Sequence, residues 1–180
     1  MTSTLNVGGH KVLVDIADLG LIKGLRLYVY MDRGGRRVSV HVRGNGLRTG
    51  YLHRLIMGAP GVDHIDGNRL NNSRSNLRIA TAQQNCRNRS KFAGGTSKFK
   101  GVHWSKSKKK WRGKITDGYK SIHLGYFADE VACASAYDVA AQRIHGEFAR
   151  LNFSPSTTQA GAVAGRRIGD NPKETQTWKV

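Results

Sequence analysis

The sequence has few acidic residues, few cysteines and no long apolar run. Only 12 Asp and Glu residues oppose 30 Lys and Arg residues in 180 positions, so the formal net charge is +18. An excess of this size indicates a nucleic-acid partner. The two cysteines, Cys86 and Cys133, form no Cys-x-x-Cys pair. A cysteine-based structural zinc site is therefore not expected, and both thiols are interpreted as reduced cysteines of an intracellular protein.

No segment has the length of a membrane span or the pattern of a secretory signal. The least polar stretch, 128–141, is interrupted by Asp129, Glu130 and Asp138, well short of the roughly 20 apolar residues that a spanning helix needs. The first five residues, MTSTL, do not begin a basic and then apolar leader. We expect a cytoplasmic protein that is not secreted and does not associate with membranes. Nothing in the sequence indicates an obligate protein partner, and we expect a monomer.

Turn signals and changes of composition predict an α+β fold in several short units. Apolar alternation predicts strands at 12–15, 25–30 and 37–42, with turns at the glycines of 34–35 and 44–46. This first unit is a small β platform without obvious chemistry. The predicted boundaries are a β lead-in over 1–50, a second unit over 51–90, a flexible basic linker over 91–98, a third unit over 99–153 and a disordered tail over 154–180.

The second unit is predicted to run strand, loop, strand, helix. Val62 begins the first strand, and an asparagine-rich loop follows it. The segment 77–80 fits a returning strand. Thr81 and Gln84 fit a capping box, with Thr at the N-cap and Gln three residues later. Asn85 should therefore lie in the first turns of a helix.

This unit contains the side chains that hydrolysis of a phosphodiester requires. His64 can act as a base near neutral pH, and Asp63 is an oxygen ligand suited to Mg²⁺ or Mn²⁺. Asn85 offers an amide oxygen from the helix, and Asn76 could hydrogen-bond the loop backbone and fix the strand of His64. The alternative is ordinary turn chemistry in an Asp-Gly and Asn-rich stretch, with Asp and His as a surface pair that has no catalytic role.

The third unit is predicted to be three strands packed on one helix. Strands are expected near 101–104, 111–116 and 122–126, and Asp129 is expected to cap a helix over 130–145 that Gly146 ends. Apolar residues, Tyr126 among them, are expected to face the helix, and Trp104 and Trp111 are interpreted as core residues. The opposite face is basic, and a lysine-rich loop over 106–110 precedes the second strand. Such a surface neutralises phosphates, although a merely solvated strand face is the alternative.

The second unit closely resembles the HNH nucleases, and most closely the phage-type homing endonucleases with a ββα-metal core. The resemblance rests on HRLI at 53–56, VDHIDGN at 62–68, NLR at 76–78 and TAQQN at 81–85. It implies that His64 is the general base, Asn76 orients it, and Asp63 and Asn85 bind one Mg²⁺ or Mn²⁺. It also implies a bacterium or a phage-infected cell as the host.

The third unit resembles the APETALA2/ethylene-response-factor DNA-binding domain, which reads the major groove with a three-stranded sheet. The resemblance rests on FKGVH at 99–103, WRGKI at 111–115, HLGYF at 123–127, ASAYDVAA at 134–141 and LNF at 151–153. His103, Ser121 and His123 depart from residues common in plant members, so the plant target sequence should not be carried over. Residues expected to contact DNA, from this resemblance and from the basic loop and face, are Lys100, His103, Lys106, Lys108, Lys109, Lys110, Arg112, Lys114, Thr116, Lys120, Ser121 and His123.

The preferred interpretation is a site-recognising DNA endonuclease of the homing type, with double-stranded DNA as its partner. One alternative is a DNA-binding transcription regulator that does not cut, in which the HNH-like unit is degenerate. A second alternative is an RNA-binding protein that uses the same basic sheet. The presence of both Asp63 and His64 favours the nuclease.

Overall fold

The computed structural model describes residues 1–31, 38–44, 47–91 and 94–153, and these form the predicted α+β fold. The turn predicted at 34–35, most of the turn at 44–46 and the tail predicted over 154–180 lie outside the described residues. In the described part of the chain, no helix is long and apolar enough to span a membrane.

The N-terminal part consists of a two-stranded hairpin and a three-stranded antiparallel sheet in the order β3-β4-β5. Its elements are β1 (Thr2–Val7), β2 (His10–Asp15), α1 (Leu19–Ile22), β3 (Arg26–Met31), β4 (Val38–Gly44), β5 (Leu47–Tyr51) and α2 (Leu52–Met57). The sequence did not predict β1, which pairs with β2 along its whole length.

The second unit has the predicted order of strand, loop, strand and helix. Its elements are β6 (Val62–His64), β7 (Leu77–Ile79) and α3 (Ala82–Arg87). β6 and β7 are antiparallel, and Asp63 lies opposite Arg78 in their register. Thr81 and Gln84 form the predicted capping box at the start of α3.

The lead-in and the second unit share one hydrophobic core. Val12 and Val14 of β2, Val40 of β4 and Leu52 of α2 belong to the same buried cluster as Leu77 of β7. Backbone hydrogen bonds between Leu13 and the loop of the second unit reinforce this contact. The described residues between 1 and 77 thus share a common core, and the boundary predicted at position 50 does not separate two cores.

The C-terminal unit is a three-stranded antiparallel sheet, in the order β10-β9-β8, packed on one long helix. Its elements are β8 (Val102–Ser105), β9 (Lys110–Asp117), β10 (Lys120–Phe127) and α4 (Glu130–His145). Asp129 caps α4 by accepting a hydrogen bond from the backbone N–H of Ala132. Gly146, with a φ of 55°, ends it as predicted. Ile115, Cys133, Tyr137 and Ala141 form the buried layer between sheet and helix.

Part of the predicted linker belongs to the C-terminal unit. The Thr96 hydroxyl accepts a hydrogen bond from the backbone N–H of Trp104, and the Ser97 hydroxyl accepts one from that of Phe99. Ser97 is buried. The small polar residues that suggested a flexible segment therefore satisfy the backbone at the edge of β8 instead.

Candidate nuclease site

Asp63 and His64 are neighbours on β6, and both side chains are only about 5% exposed. Neighbouring side chains on a strand ordinarily point to opposite faces. Here the segment lies between β7, the asparagine-rich loop and α3, so both faces of the strand are covered. Each polar side chain must consequently find a partner inside the protein, since an unpaired buried polar group is costly.

The Asp63 carboxylate is held at one oxygen by a strand and a helix terminus. Arg78 on β7 donates to Oδ2 through Nε at 3.2 Å and Nη2 at 2.9 Å. Asn88, at the end of α3, donates to the same oxygen through Nδ2 at 2.9 Å. No described residue donates to Oδ1. Asp63 thus keeps one carboxylate oxygen for another partner.

Asn88 is a site residue that the sequence interpretation missed. Its Nδ2 also lies 2.7 Å from the backbone oxygen of His64, so it holds both residues of the Asp-His pair. It follows Asn85 by three positions, which puts the two amides on one face of the helix. The spacing of three residues between Asn85 and Asn88 is the sequence feature that could have identified Asn88 as a site residue. Asn85 itself lies against β6, where its Nδ2 donates to the Val62 carbonyl at 3.4 Å.

Asn72 holds the His64 ring. Its Oδ1 lies 3.3 Å from His64 Nε2, and its Nδ2 donates to the Arg69 carbonyl. With the amide fixed in this orientation, Nε2 is the donating nitrogen and Nδ1 of the neutral ring carries the lone pair. Burial lowers the pKa of His64, although the Asn72 contact opposes the shift. The ring is therefore neutral at neutral pH.

A second histidine contacts the first. The His53 ring, from α2, meets His64 edge to face with their centroids 4.9 Å apart. Burial, and then the charges of His64, Arg54 and Arg69, lower the pKa of His53 to about 3. In the sequence, His53 is visible only as part of the HRLI motif at 53–56.

Asn76 organises the loop and does not contact the His64 ring. Its Oδ1 accepts from the Asp66 backbone N–H, and its Nδ2 donates to the Asp66 carboxylate and the Asn71 carbonyl. Its backbone oxygen accepts from the N–H of Ile65, the residue after His64. Asn76 thus hydrogen-bonds the loop and the end of β6, while the hydrogen bond to the ring comes from Asn72.

The donor set fits a hard divalent ion. Within the described ranges, no three His, Cys, Asp or Glu side chains form a group that could hold a metal. Mg²⁺, however, needs only one or two protein oxygens, because phosphate and water complete its shell. Asp63 Oδ1 accepts no hydrogen bond from a described residue. The Asn85 amide uses its nitrogen on the Val62 carbonyl, which leaves its oxygen available.

The C-terminal unit packs directly on this site. Arg78, which holds Asp63, also donates through Nη1 to the Glu147 carbonyl at 2.5 Å and lies 3.9 Å over the Phe148 ring. Arg87 of α3 pairs with Asp117 at the end of β9 at 2.7 Å. The sheet is thereby fixed relative to the second unit.

A cavity of about 380 Å³ lies at this junction. Lys100, predicted to face DNA, lines it and donates through Nζ to the Arg87 carbonyl at 2.5 Å. Burial lowers the pKa of Lys100 to about 8. The side chain of this lysine is therefore directed at the last residue of α3.

The outer face of the C-terminal sheet forms a shallow basic groove of about 240 Å³, lined by Arg112, Lys114, Ser121, His123 and Tyr126. The expectation that Tyr126 faces the helix was wrong. A bulge between His123 and Gly125 shifts the register, so Tyr126 pairs with Arg112 and turns outward. A glycine inside a strand is a known signal for such a bulge.

The other residues predicted to contact DNA lie around this groove. Lys106, Lys108 and Lys109 are exposed in the turn between β8 and β9. Trp104, interpreted as core, is 39% exposed at the rim of the sheet, whereas Trp111 packs against the core. The remaining predicted residues are exposed on the strands, namely His103, Lys110, Thr116 and Lys120.

Comparison with known proteins assigns the nuclease core. Residues 60–87 match the family model of the HNH endonuclease. Protein 3.8 of Escherichia phage T7 is 37% identical over 90 residues, which cover 50% of this chain and 74% of that protein. An uncharacterized HNH endonuclease of Acanthamoeba polyphaga mimivirus is 37% identical over 91 residues, covering 51% of this chain and 46% of the viral protein.

A further relative is a plant protein. APETALA2-like protein 2 of Oryza sativa subsp. indica is 42% identical over 74 residues, covering 40% of this chain and 17% of that protein. No solved structure matches the chain significantly. The match to three quarters of Protein 3.8 and the motif over 60–87 together show that this chain belongs to the HNH endonuclease family.

Proposed function

We propose that the chain is a homing-type DNA endonuclease that cuts with one divalent metal and a histidine base, and that its C-terminal sheet binds neighbouring double-stranded DNA. The observation that carries the proposal is the buried pair on β6. The Oδ1 atom of the Asp63 carboxylate is available to a metal ion, and the His64 ring is held neutral in a fixed orientation. The two groups are adjacent, as metal-assisted hydrolysis of a phosphodiester requires.

His64 is the general base in this scheme. Asn72 engages Nε2, so the lone pair on Nδ1 receives the proton of the attacking water. Asn88 and the loop that Asn76 organises keep the strand in place during this step. The orientation of the base is fixed before DNA arrives, which lowers the cost of reaching the transition state.

Asp63 and Asn85 are the proposed metal ligands. A bound Mg²⁺ or Mn²⁺ would offset charge on the scissile phosphate and the leaving oxygen. Arg78 and Asn88 donate hydrogen bonds to Oδ2 of the carboxylate, so Oδ1 is the oxygen that would bind the metal.

The C-terminal unit is proposed to act as an APETALA2/ERF-type DNA-binding domain. Its support is the plant relative and a basic groove at positions where that family contacts DNA. A sheet can enter the major groove and contact base edges. Lys114, His123 and Arg112 are therefore proposed to read sequence, and the lysine-rich turn is proposed to bind phosphates.

Incubation of the full chain with supercoiled plasmid tests the proposal. Mg²⁺ or Mn²⁺ should produce nicked or linear DNA, and EDTA should prevent it. Cutting that is equal in EDTA would refute the metal role. Tight DNA binding without any cutting would favour the alternative, a transcription regulator with a degenerate core.

A further inference from the structure

The outer face of the N-terminal sheet carries a continuous row of aromatic rings. Tyr28 on β3 stacks on His41 of β4 with centroids 5.3 Å apart, and His41 meets Tyr51 at 4.6 Å. Tyr51 in turn stacks on His53 at 5.3 Å. Tyr30 joins at the far side, 5.6 Å from His41. We call these five residues the aromatic row.

The row lies on the side of the sheet away from the core. Val40 and Val42 of β4 are buried in the shared core, so His41 between them faces outward. Tyr28 is 38% exposed and Tyr30 is 55% exposed. A sheet with one apolar and one exposed face is usual, but an exposed face built from tyrosines offers a contact surface.

The row ends at the proposed base. His53, its last member, meets His64 edge to face at 4.9 Å. A polymer lying along the row is thus brought to the active site. Asp63, the neighbour of His64 on β6, connects through Arg78 to the C-terminal unit. The row and the C-terminal unit therefore reach the Asp63–His64 pair through different residues, His53 and Arg78.

Three arginines lie on or beside this face, and the residues that the structure describes offer them no ion-pair partner. Arg26 on β3 lies directly opposite Arg43 on β4, and Arg54 lies 4.8 Å over the Tyr51 ring. Among the described residues, none of the three takes part in a salt bridge. Like charges directly opposite each other on a sheet are destabilising, and an anion seated between Arg26 and Arg43 would offset that repulsion.

We propose that the aromatic row and its arginines bind DNA that flanks the cut, as a second contact surface besides the C-terminal unit. Guanidinium groups would contact backbone phosphates, and the tyrosines would pack against sugars or bases. The inference rests on the proposed function, because it takes DNA as the substrate. It assigns a DNA-binding role to the sheet of β3, β4 and β5, for which the sequence alone indicates no function.

Binding of the full chain to a labelled 40-base-pair duplex in EDTA, measured over a range of NaCl concentrations, tests this surface. Arg26→Gln/Arg43→Gln should lower the slope of log affinity against log salt by about 1.8, because each phosphate that is no longer neutralised lowers it by about 0.9. Lys11→Gln/Lys23→Gln removes the same charge from exposed positions off the row and should leave the slope almost unchanged.

The tyrosines provide a second readout. Tyr28→Ala/Tyr30→Ala should weaken binding roughly tenfold at every salt concentration with the slope retained, and Tyr28→Phe/Tyr30→Phe should restore most of it. Circular dichroism confirms that each variant is folded. If the arginine variant matches the lysine control and the tyrosine variant binds like wild type, the row only stabilises the sheet and the inference is overturned. Metal-dependent cutting by wild type is measured separately. Absence of a contribution from the row, with cutting retained, would refute this inference alone, whereas absence of cutting would refute the proposed function.

Discussion

The nuclease core and the C-terminal sheet use polar side chains in opposite ways. In the core, Asp63 and His64 are buried, and each is held by hydrogen bonds from neighbouring elements. On the sheet, Arg112 and His123 are exposed around an open groove. Chemistry at a phosphate needs fixed orientation, whereas DNA binding needs accessible charge. Substitutions should therefore separate cutting from binding.

The largest effect on the fold is expected in the core. Asn88→Ala should lower the free energy of unfolding by about 3 kcal/mol, because Asp63 and the His64 carbonyl lose a buried donor. Cutting should also slow, since both residues lose their support. Urea denaturation measures the first effect. Arg89→Ala, exposed next to it on the same helix terminus, is the control and should behave like wild type.

Substitutions in the groove should change which DNA is preferred. Lys114→Ala and His123→Ala, opposite each other on β9 and β10, should each change discrimination at contacted bases by about 1–3 kcal/mol. Selection of binding sites from random duplexes measures this. Arg143→Ala, exposed on α4 behind the sheet, removes one positive charge as Lys114→Ala does and should keep the wild-type preference. If the groove variants keep the wild-type sequence preference, these side chains do not contact bases and the assigned face is wrong.

Acid should destabilise the core through His53. Its pKa in the folded state is lowered to about 3, so between pH 6.5 and that value the folded chain binds fewer protons than the unfolded chain. The free energy of unfolding therefore falls as pH falls below about 6.5, by up to about 2 kcal/mol at pH 5. His53→Phe keeps a ring but does not titrate, and should flatten this dependence in thermal or urea unfolding. A slope equal to wild type would show that His53 is not the group responsible.

The smallest effect per residue is expected in the exposed turn. Changing Lys108, Lys109 and Lys110 to Ala should reduce the salt slope of DNA binding by about 0.9 for each phosphate that these lysines neutralise. Sequence preference should not change, because binding to phosphates carries no sequence information. If these lysines alter preference while Lys114 does not, the docking face assigned to the sheet is wrong.

Local signals were readable from sequence, and tertiary contacts were not. Thr81 and Gln84 predict the start of α3, and Asp129 predicts the start of α4, because a cap involves residues three apart. The roles of Asn72 and Asn88 depend on how the loop and helix fold over β6. Nothing in the sequence near Arg78 shows that it reaches the C-terminal unit.

Faces of strands were predictable only where alternation was regular. Ile115 and Lys114 on β9 lie as alternation predicts. Tyr126 turns outward because the bulge at Gly125 shifts the register. The aromatic row on the outer face of β3 and β4 could not be predicted, because its rings come from different strands and meet only when the strands pair.

His64→Ala in the full chain gives the most direct test of the central claim, that a buried core cuts while exposed surfaces bind. Single-turnover cutting in Mg²⁺ and duplex binding in EDTA should be measured on the same preparation. Loss of a general base should slow cutting about 10²–10⁴-fold. The affinity for DNA should stay within about twofold of wild type, because His64 is buried and adds no charge to the surfaces proposed to bind DNA. Undiminished cutting by this variant would contradict the account.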